Sequence, residues 1–203
     1  MPKRITLSQL REAAKGCRGC DLYCHATQTV FGRGPANAIV MFIGEQPGDQ
    51  EDHAGQPFVG PAGRILDQAM QQAGISRDEV YVTNAVKHFK FEEQGKRRIH
   101  SKPNPRQIKA CRPWLESEIQ VVKPRIVVAL GATAARSLMG LSFRLTQHQG
   151  EFFENTEWAP YLLATVHPSS LLRIPDEASR HRAKAAFVAD LKLVARRARR
   201  ATR

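Results

Sequence analysis

Short apolar runs alternate with amphipathic stretches along this chain, and that alternation predicts most of its elements. Residues 7–15 have helical spacing behind Thr6 and Ser8, either of which can cap a helix. Ala38 to Ile43 is a continuous apolar run that stops at Gly44, the pattern of a buried strand. Pro61 to Ala73 repeats apolar residues at Ile65, Leu66, Ala69 and Met70 and ends at Gly74, predicting an amphipathic helix with a glycine stop. Strands follow at Val80 to Val86, Arg125 to Leu130 and Tyr161 to Val166. Helices follow at Arg106 to Val122, Ala132 to Met139 and Asp176 to Arg200.

Strands alternating with helices predict an α/β fold, a mostly parallel sheet covered by helices on both faces. Ligands of such sheets bind beyond the carboxyl ends of the strands. Three loops therefore carry the candidate chemistry: those starting at Gly44, Asn84 and His167. A long polar loop, Phe89 to Pro105, follows Asn84. With no internal repeat or low-complexity linker, the 203 residues read as one domain, residues 1–203.

Composition narrows the class. Apolar residues make up 42% and charged residues 25% of the chain, as in a globular protein rather than a disordered one. A net charge of +12 predicts an anionic partner and a monomer. No apolar run approaches a membrane span, and no apolar stretch follows Met1-Pro2-Lys3-Arg4, so neither a membrane nor a secretory destination is expected. The expected location is the cytoplasm.

Cys17, Cys20 and Cys24 crowd one segment, with Cys111 far downstream. A Cys-x2-Cys pair with distant partners suits a metal or iron–sulfur site better than disulfides; reduced surface thiols and a zinc site are the alternatives.

The first loop runs from Gly44-Glu45-Gln46-Pro47-Gly48 through Asp49 and Asp52 to Pro57-Phe58-Val59-Gly60. Acids and glycines at this density in so basic a protein suggest a backbone shaped around a ligand; a solvated, helix-capping turn is the alternative. Phe58 is expected to be exposed and to stack on a planar ring, or else to plug the core. No Gly-Lys-Ser/Thr follows, so this is not a phosphate loop. In the last loop His167 precedes Pro168 at the sheet's carboxyl edge, where it could donate to a ligand oxygen or serve only structure. In the middle loop Lys96-Arg97-Arg98-Ile99-His100 reads as phosphate contacts or a solvated face, with His100 a candidate nucleophile or base.

Taken together, these motifs resemble the uracil-DNA glycosylase superfamily, in particular its iron–sulfur family 4. Gly44-Glu45-Gln46-Pro47-Gly48 with Pro57-Phe58-Val59-Gly60, then Asn84-Ala85-Val86-Lys87, Leu130-Gly131-Ala132-Thr133-Ala134 and His167-Pro168-Ser169 stand in the expected order. Three departures resemble the cross-linking branch known as UdgX: Gln46 in place of a small residue, the added loop ending at His100, and His88 where family 4 has a cluster cysteine.

The resemblance implies a three-layer α/β/α sandwich and a [4Fe–4S] cluster held by Cys17, Cys20, His88 and Cys111, with Cys24 left over or serving as a substitute ligand. It implies a bacterial enzyme that acts on uracil-containing DNA, single-stranded or double-stranded, and releases free uracil. By the same resemblance, Phe58 stacks on uracil, Asn84 reads its Watson–Crick edge and His167 stabilises the leaving anion. Glu45 orients His100, which attacks C1′ of the sugar and leaves the protein covalently attached. Gly44, Gln46, Asp52 and Ser169 shape the base site. Lys90, Arg97, Arg98, Lys102 and Arg173 hold the DNA backbone, and the Arg196–Arg200 tail adds non-specific attraction.

Overall fold

The computed structural model describes residues 5–201; the Met1–Arg4 segment lies outside them. Helix α1 (Leu7–Lys15) opens on a reciprocal cap in which Thr6 and Gln9 satisfy each other's backbone N–H groups. Strand β1 (Val40–Gly44) follows, then α2 (Asp49–Ala54), α3 (Pro61–Ala73) and β2 (Val80–Asn84). An antiparallel hairpin, β3 (Phe91–Gln94) and β4 (Arg97–His100), precedes α4 (Pro105–Val122) and β5 (Ile126–Leu130). The remainder is α5 (Ala132–Met139), α6 (Leu145–His148), β6 (Phe152–Glu154), β7 (Tyr161–Thr165), α7 (Pro168–Leu172) and α8 (Glu177–Ala201).

The main sheet runs in the order β2-β1-β5-β7-β6, parallel except for β6, which pairs antiparallel at the edge. Alternate side chains serve two helical layers, so the fold is the three-layer α/β/α sandwich. Met41, Ile43, Tyr81, Val127 and Ala129 pack with Leu10 of α1, Leu115 and Ile119 of α4 and Leu138 of α5. Phe42, Val82, Val128 and Leu130 pack with Leu66 and Met70 of α3 and Phe187 and Leu191 of α8. Among the described residues no helix is long and apolar enough to cross a membrane.

Two expectations change. The 89–105 segment is not an unstructured loop, because most of it is the β3–β4 hairpin, turned at Gly95 with φ +60°. The acidic loop after Gly48 forms a helical turn, α2, whose Glu51 carboxylate accepts from Gly48 N at 3.1 Å and Gly60 N at 2.9 Å.

Candidate active site

A cavity of about 1020 Å³ opens where β1, β2, β5 and β7 end, the carboxyl edge of the sheet. From the predicted set it collects Glu45, Gln46, Phe58, Asn84, His100, Lys102, His167, Ser169 and Arg173. Gly44 lies behind its wall, and Asp52, Arg97 and Arg98 do not line it.

The wall behind the cavity is built by close backbone approach. Gly44 pairs with Asn84 across β1 and β2, and a Cβ at Gly44 would overlap both the Asn84 side-chain oxygen and the Phe58 ring. Phe58 is buried rather than exposed, and its backbone takes φ +58°, a strained value for a bulky residue. Gly63 permits this, since any side chain there would collide with the Phe58 carbonyl. The Phe58 and His167 rings lie 6.1 Å apart, tilted by 31°.

His167 caps α7, and the serine at the next-but-one position fixes its ring. Ser169 N–H donates to His167 Nδ1 at 3.2 Å, and the Ser169 hydroxyl lies 2.8 Å from the same nitrogen. With Nδ1 accepting, the neutral ring carries its proton on Nε2. Burial pushes the His167 pKa down to about 4, against the opposing pull of Glu45, so the ring is neutral at ordinary pH and offers an uncharged N–H donor. Ser169 thus orients the histidine.

Glu45 and His100 meet inside the cavity, with His100 Nε2 3.0 Å from Glu45 Oε1. That approach is off the line of a good hydrogen bond, and Oε1 is otherwise buried without a partner. Burial works to raise the Glu45 pKa, but the pull of His100, Thr133 and His167 beside it outweighs that and holds the carboxyl below its usual value. Thr133, on the first turn of α5, belongs to the Leu130–Ala134 motif, but the motif alone does not point to a role for its side chain.

The hairpin that carries His100 is fastened at its base and along its side. Gln46 Nε2 donates to Lys90 O at 3.0 Å and Ser101 O at 3.1 Å, and its Oε1 accepts from Lys90 N at 3.2 Å. One side chain therefore closes both ends of the hairpin. Arg98 donates to Asp49 at 2.6 Å and Asp52 at 2.8 Å and lies over the Phe91 ring at 4.9 Å. Asp52 is fully buried and also accepts from Thr27 N. Arg98 and Asp52 thus brace the hairpin against α2, and neither lines the cavity. Arg97 is exposed on the hairpin, away from the cavity.

The cysteine segment lies against α4 and the turn after β2. Trp114 Nε1–H donates to Cys17 Sγ at 3.1 Å, and Lys87 N–H donates to Cys111 Sγ at 3.4 Å. Cys20 and Cys111 interact through their thiols, and burial pushes the Cys111 pKa up to about 11. His88 is buried, with Nε2 3.0 Å from Thr29 Oγ1 and Nδ1 lacking any partner. Cys24 is exposed. Among the described residues no three such groups converge closely enough to hold a single metal ion.

Residues 31–192 match the family described as the Uracil DNA glycosylase superfamily. The chain is 35% identical to a type-4 uracil-DNA glycosylase of Pyrobaculum aerophilum over 177 residues, covering 84% of this chain and 87% of that one. It is 34% identical to the type-4 uracil-DNA glycosylase of Thermotoga maritima over 165 residues, 80% and 81% of the two chains. A type-5 uracil-DNA glycosylase of Pyrobaculum aerophilum is 28% identical over 183 residues, 81% and 76% of the two chains. The parallel sheet, the cavity at its carboxyl edge and these matches along most of the chain agree: the protein belongs to the uracil-DNA glycosylase superfamily.

Proposed function

We propose that this protein excises uracil from DNA and becomes covalently joined, through His100, to the abasic sugar it creates. The observation that carries this reading is the approach of His100 Nε2 to within 3.0 Å of Glu45 inside the cavity that also holds Phe58, Asn84 and His167. An imidazole held there by a braced hairpin is what a covalent step at C1′ would use.

A base buried in a duplex must be flipped out or presented in a single strand before its C1′ can be reached. Phe58 supplies a ring face for uracil and Asn84 an amide that matches its Watson–Crick edge; cytosine would leave that amide mispaired in a buried site. The bond from C1′ to uracil N1 breaks with its electron pair leaving on the base. The neutral His167 Nε2–H suits the growing negative charge on a uracil oxygen, because it donates without requiring a proton transfer. Glu45, held ionised, balances the positive charge that develops on the sugar. A ring-nitrogen lone pair of His100 then forms the new C1′–N bond, and the proton on the other ring nitrogen passes to Glu45 or to water. An alkylated imidazole is a poor leaving group, so the adduct persists while free uracil departs.

The donor set also suits a [4Fe–4S] cluster at Cys17, Cys20, Cys111 and His88. N–H donors aimed at two of the sulfurs favour thiolates, and the unpartnered buried Nδ1 of His88 is a free ligand atom. A four-iron cluster spreads its ligands more widely than one ion does. When bound, it would staple the cysteine segment to α4 and the turn after β2. Cys24, exposed, would be left out. Arg173 and Lys102, which line the cavity, would bind DNA phosphates. We place the protein in the cytoplasm, acting as a single-domain monomer.

The ordinary turnover reaction is the second reading, favoured by the 31–35% identity to type-4 relatives. One denaturing gel separates the two. Wild type and His100→Ala are each mixed with a labelled single-stranded oligonucleotide carrying one uracil, then boiled in detergent. A slow band in wild type alone supports the covalent reaction. Alkali-sensitive strands with no slow band in either protein would leave the turnover enzyme. Neither product would leave DNA binding without catalysis.

A further inference from the structure

Behind the cavity, on the α4 side of β2, Lys87 and Glu118 form an ion pair in which both side chains are wholly buried, with Nζ 2.5 Å from Glu118 Oε2. Taking two charges out of water costs more than their attraction usually returns, so such a pair is a poor device for stability alone. Its other contacts indicate what it holds. Lys87 Nζ also donates to Thr83 Oγ1 and to the Asn84 main-chain oxygen, both at 2.7 Å, which uses all three ammonium protons. The second carboxylate oxygen of Glu118 accepts from Gly32 N and from the Tyr81 hydroxyl, each at 2.9 Å.

We infer that the Lys87–Glu118 pair is a positioning unit that fixes Asn84 for base recognition. Asn84 is the last residue of β2, where the ladder to β1 ends. The next two N–H groups, of Ala85 and Val86, reach back to the carbonyls of Gly44 and Glu45. The Asn84 carbonyl therefore depends on Lys87 Nζ. Glu118 holds Nζ, and α4 holds Glu118. Asn84 is itself buried and wedged where Gly44 leaves no room for a Cβ, so a small rotation of its backbone would swing its amide out of register with the base. A hydrocarbon pair could fill this space but could not grip a carbonyl.

This inference rests on the reading that Asn84 recognises uracil, and the test treats the two separately. Wild type, Asn84→Ala, Glu118→Gln and the double variant Lys87→Met/Glu118→Gln are compared in the full-length protein. The double variant keeps the shape and the acceptor for Gly32 and Tyr81 while removing the grip on Asn84. Glu118→Gln alone sets an amide N–H against Nζ and is the milder perturbation. Two quantities are read: the single-turnover rate of uracil release, and the ratio of affinities for DNA carrying 2′-fluoro-2′-deoxyuridine over 2′-fluoro-2′-deoxycytidine, neither of which is readily cleaved. In the folded double variant the rate is expected to fall about tenfold to a hundredfold and the ratio about tenfold, with Glu118→Gln moving the same way to a smaller extent. A merely structural pair would lower the melting temperature and leave the ratio unchanged. An unchanged rate and ratio in the folded double variant overturns the inference, as does an unchanged ratio in Glu118→Gln if the double variant does not fold. If Asn84→Ala itself keeps the wild-type ratio, Asn84 does not read the base and the inference falls with that reading.

Discussion

Arg98 Nη1 lies 2.8 Å from Asp52 Oδ2, joining a residue of the hairpin to a fully buried carboxylate on α2. Two positions after Arg98 stands His100, so the salt bridge governs where that imidazole sits. Asp52→Ala is expected to cost about 2–4 kcal/mol of stability, read by urea unfolding, since it leaves the Thr27 N–H unpaired and Arg98 with Asp49 as its one carboxylate partner. Uracil release should survive better than adduct formation, because Glu45, Asn84 and His167 sit on other elements.

Gly44→Ala tests the base wall by crowding alone, since the substitution removes no polar group. A methyl there overlaps the Asn84 side chain and the Phe58 ring. The expected result is a loss of uracil release of at least about a hundredfold, with circular dichroism near wild type.

His167 gives the stability a pH dependence of definite sign. Its folded pKa is pushed down to about 4, below the unfolded value of about 6.5. Between those values the unfolded chain binds the extra proton, so this residue's contribution to stability falls as pH drops through the window and is constant above it. Glu45, with a lowered pKa, loses its own contribution only below the ordinary carboxylate range. Melting temperatures between pH 7 and pH 4.5 should therefore decline less in His167→Asn than in wild type. Uracil release should show no step near pH 6.5 attributable to His167.

If His88 holds a cluster, the purified protein is brown, with absorbance at about 400 nm. His88→Ala should bleach it and lower the melting temperature, whereas His88→Cys should restore the colour. Iron content and the visible spectrum provide the check. A colourless wild type prepared without oxygen, containing zinc instead, would contradict the iron assignment.

DNA affinity should fall linearly with salt on logarithmic axes, and single substitutions should sort the arginines. Arg173→Ala, at the cavity mouth, is expected to reduce the slope by about 1. Arg98→Ala should leave the slope nearly unchanged, because its guanidinium is committed to Asp49 and Asp52.

Apolar runs such as Val40-Met-Phe-Ile and Ile126-Val-Val-Ala-Leu130 made the parallel strands legible, because a strand buried on both faces must be apolar throughout. The hairpin was not legible: Phe91-Glu-Glu-Gln and Arg97-Arg-Ile-His carry no apolar alternation. Local pattern does not reveal that Gln46, far upstream, closes the hairpin. Strand β6 was missed for its shortness at the sheet edge. Of the cavity, the residues flanking strand ends were readable from loop position and motif. Phe58 stayed open between stacking on a ring and plugging the core, because its burial depends on a left-handed backbone and on Gly63, which only the fold brings together. Glu51 was overlooked, although its place three residues after Gly48 is the spacing of a helix cap.

The strand order also bears on how the chain reaches this state. Strand β1 lies between β2, which follows it closely, and β5, which arrives only after the hairpin and α4 have been made. Until Ile126 to Leu130 dock, the apolar edge of Val40 to Ile43 has no partner, and non-local parallel pairing is slow. A nascent or refolding chain thus passes through an interval in which that edge can capture another copy. Yield on overexpression should rise as synthesis is slowed by cooling, and inclusion bodies should be the characteristic failure of this protein.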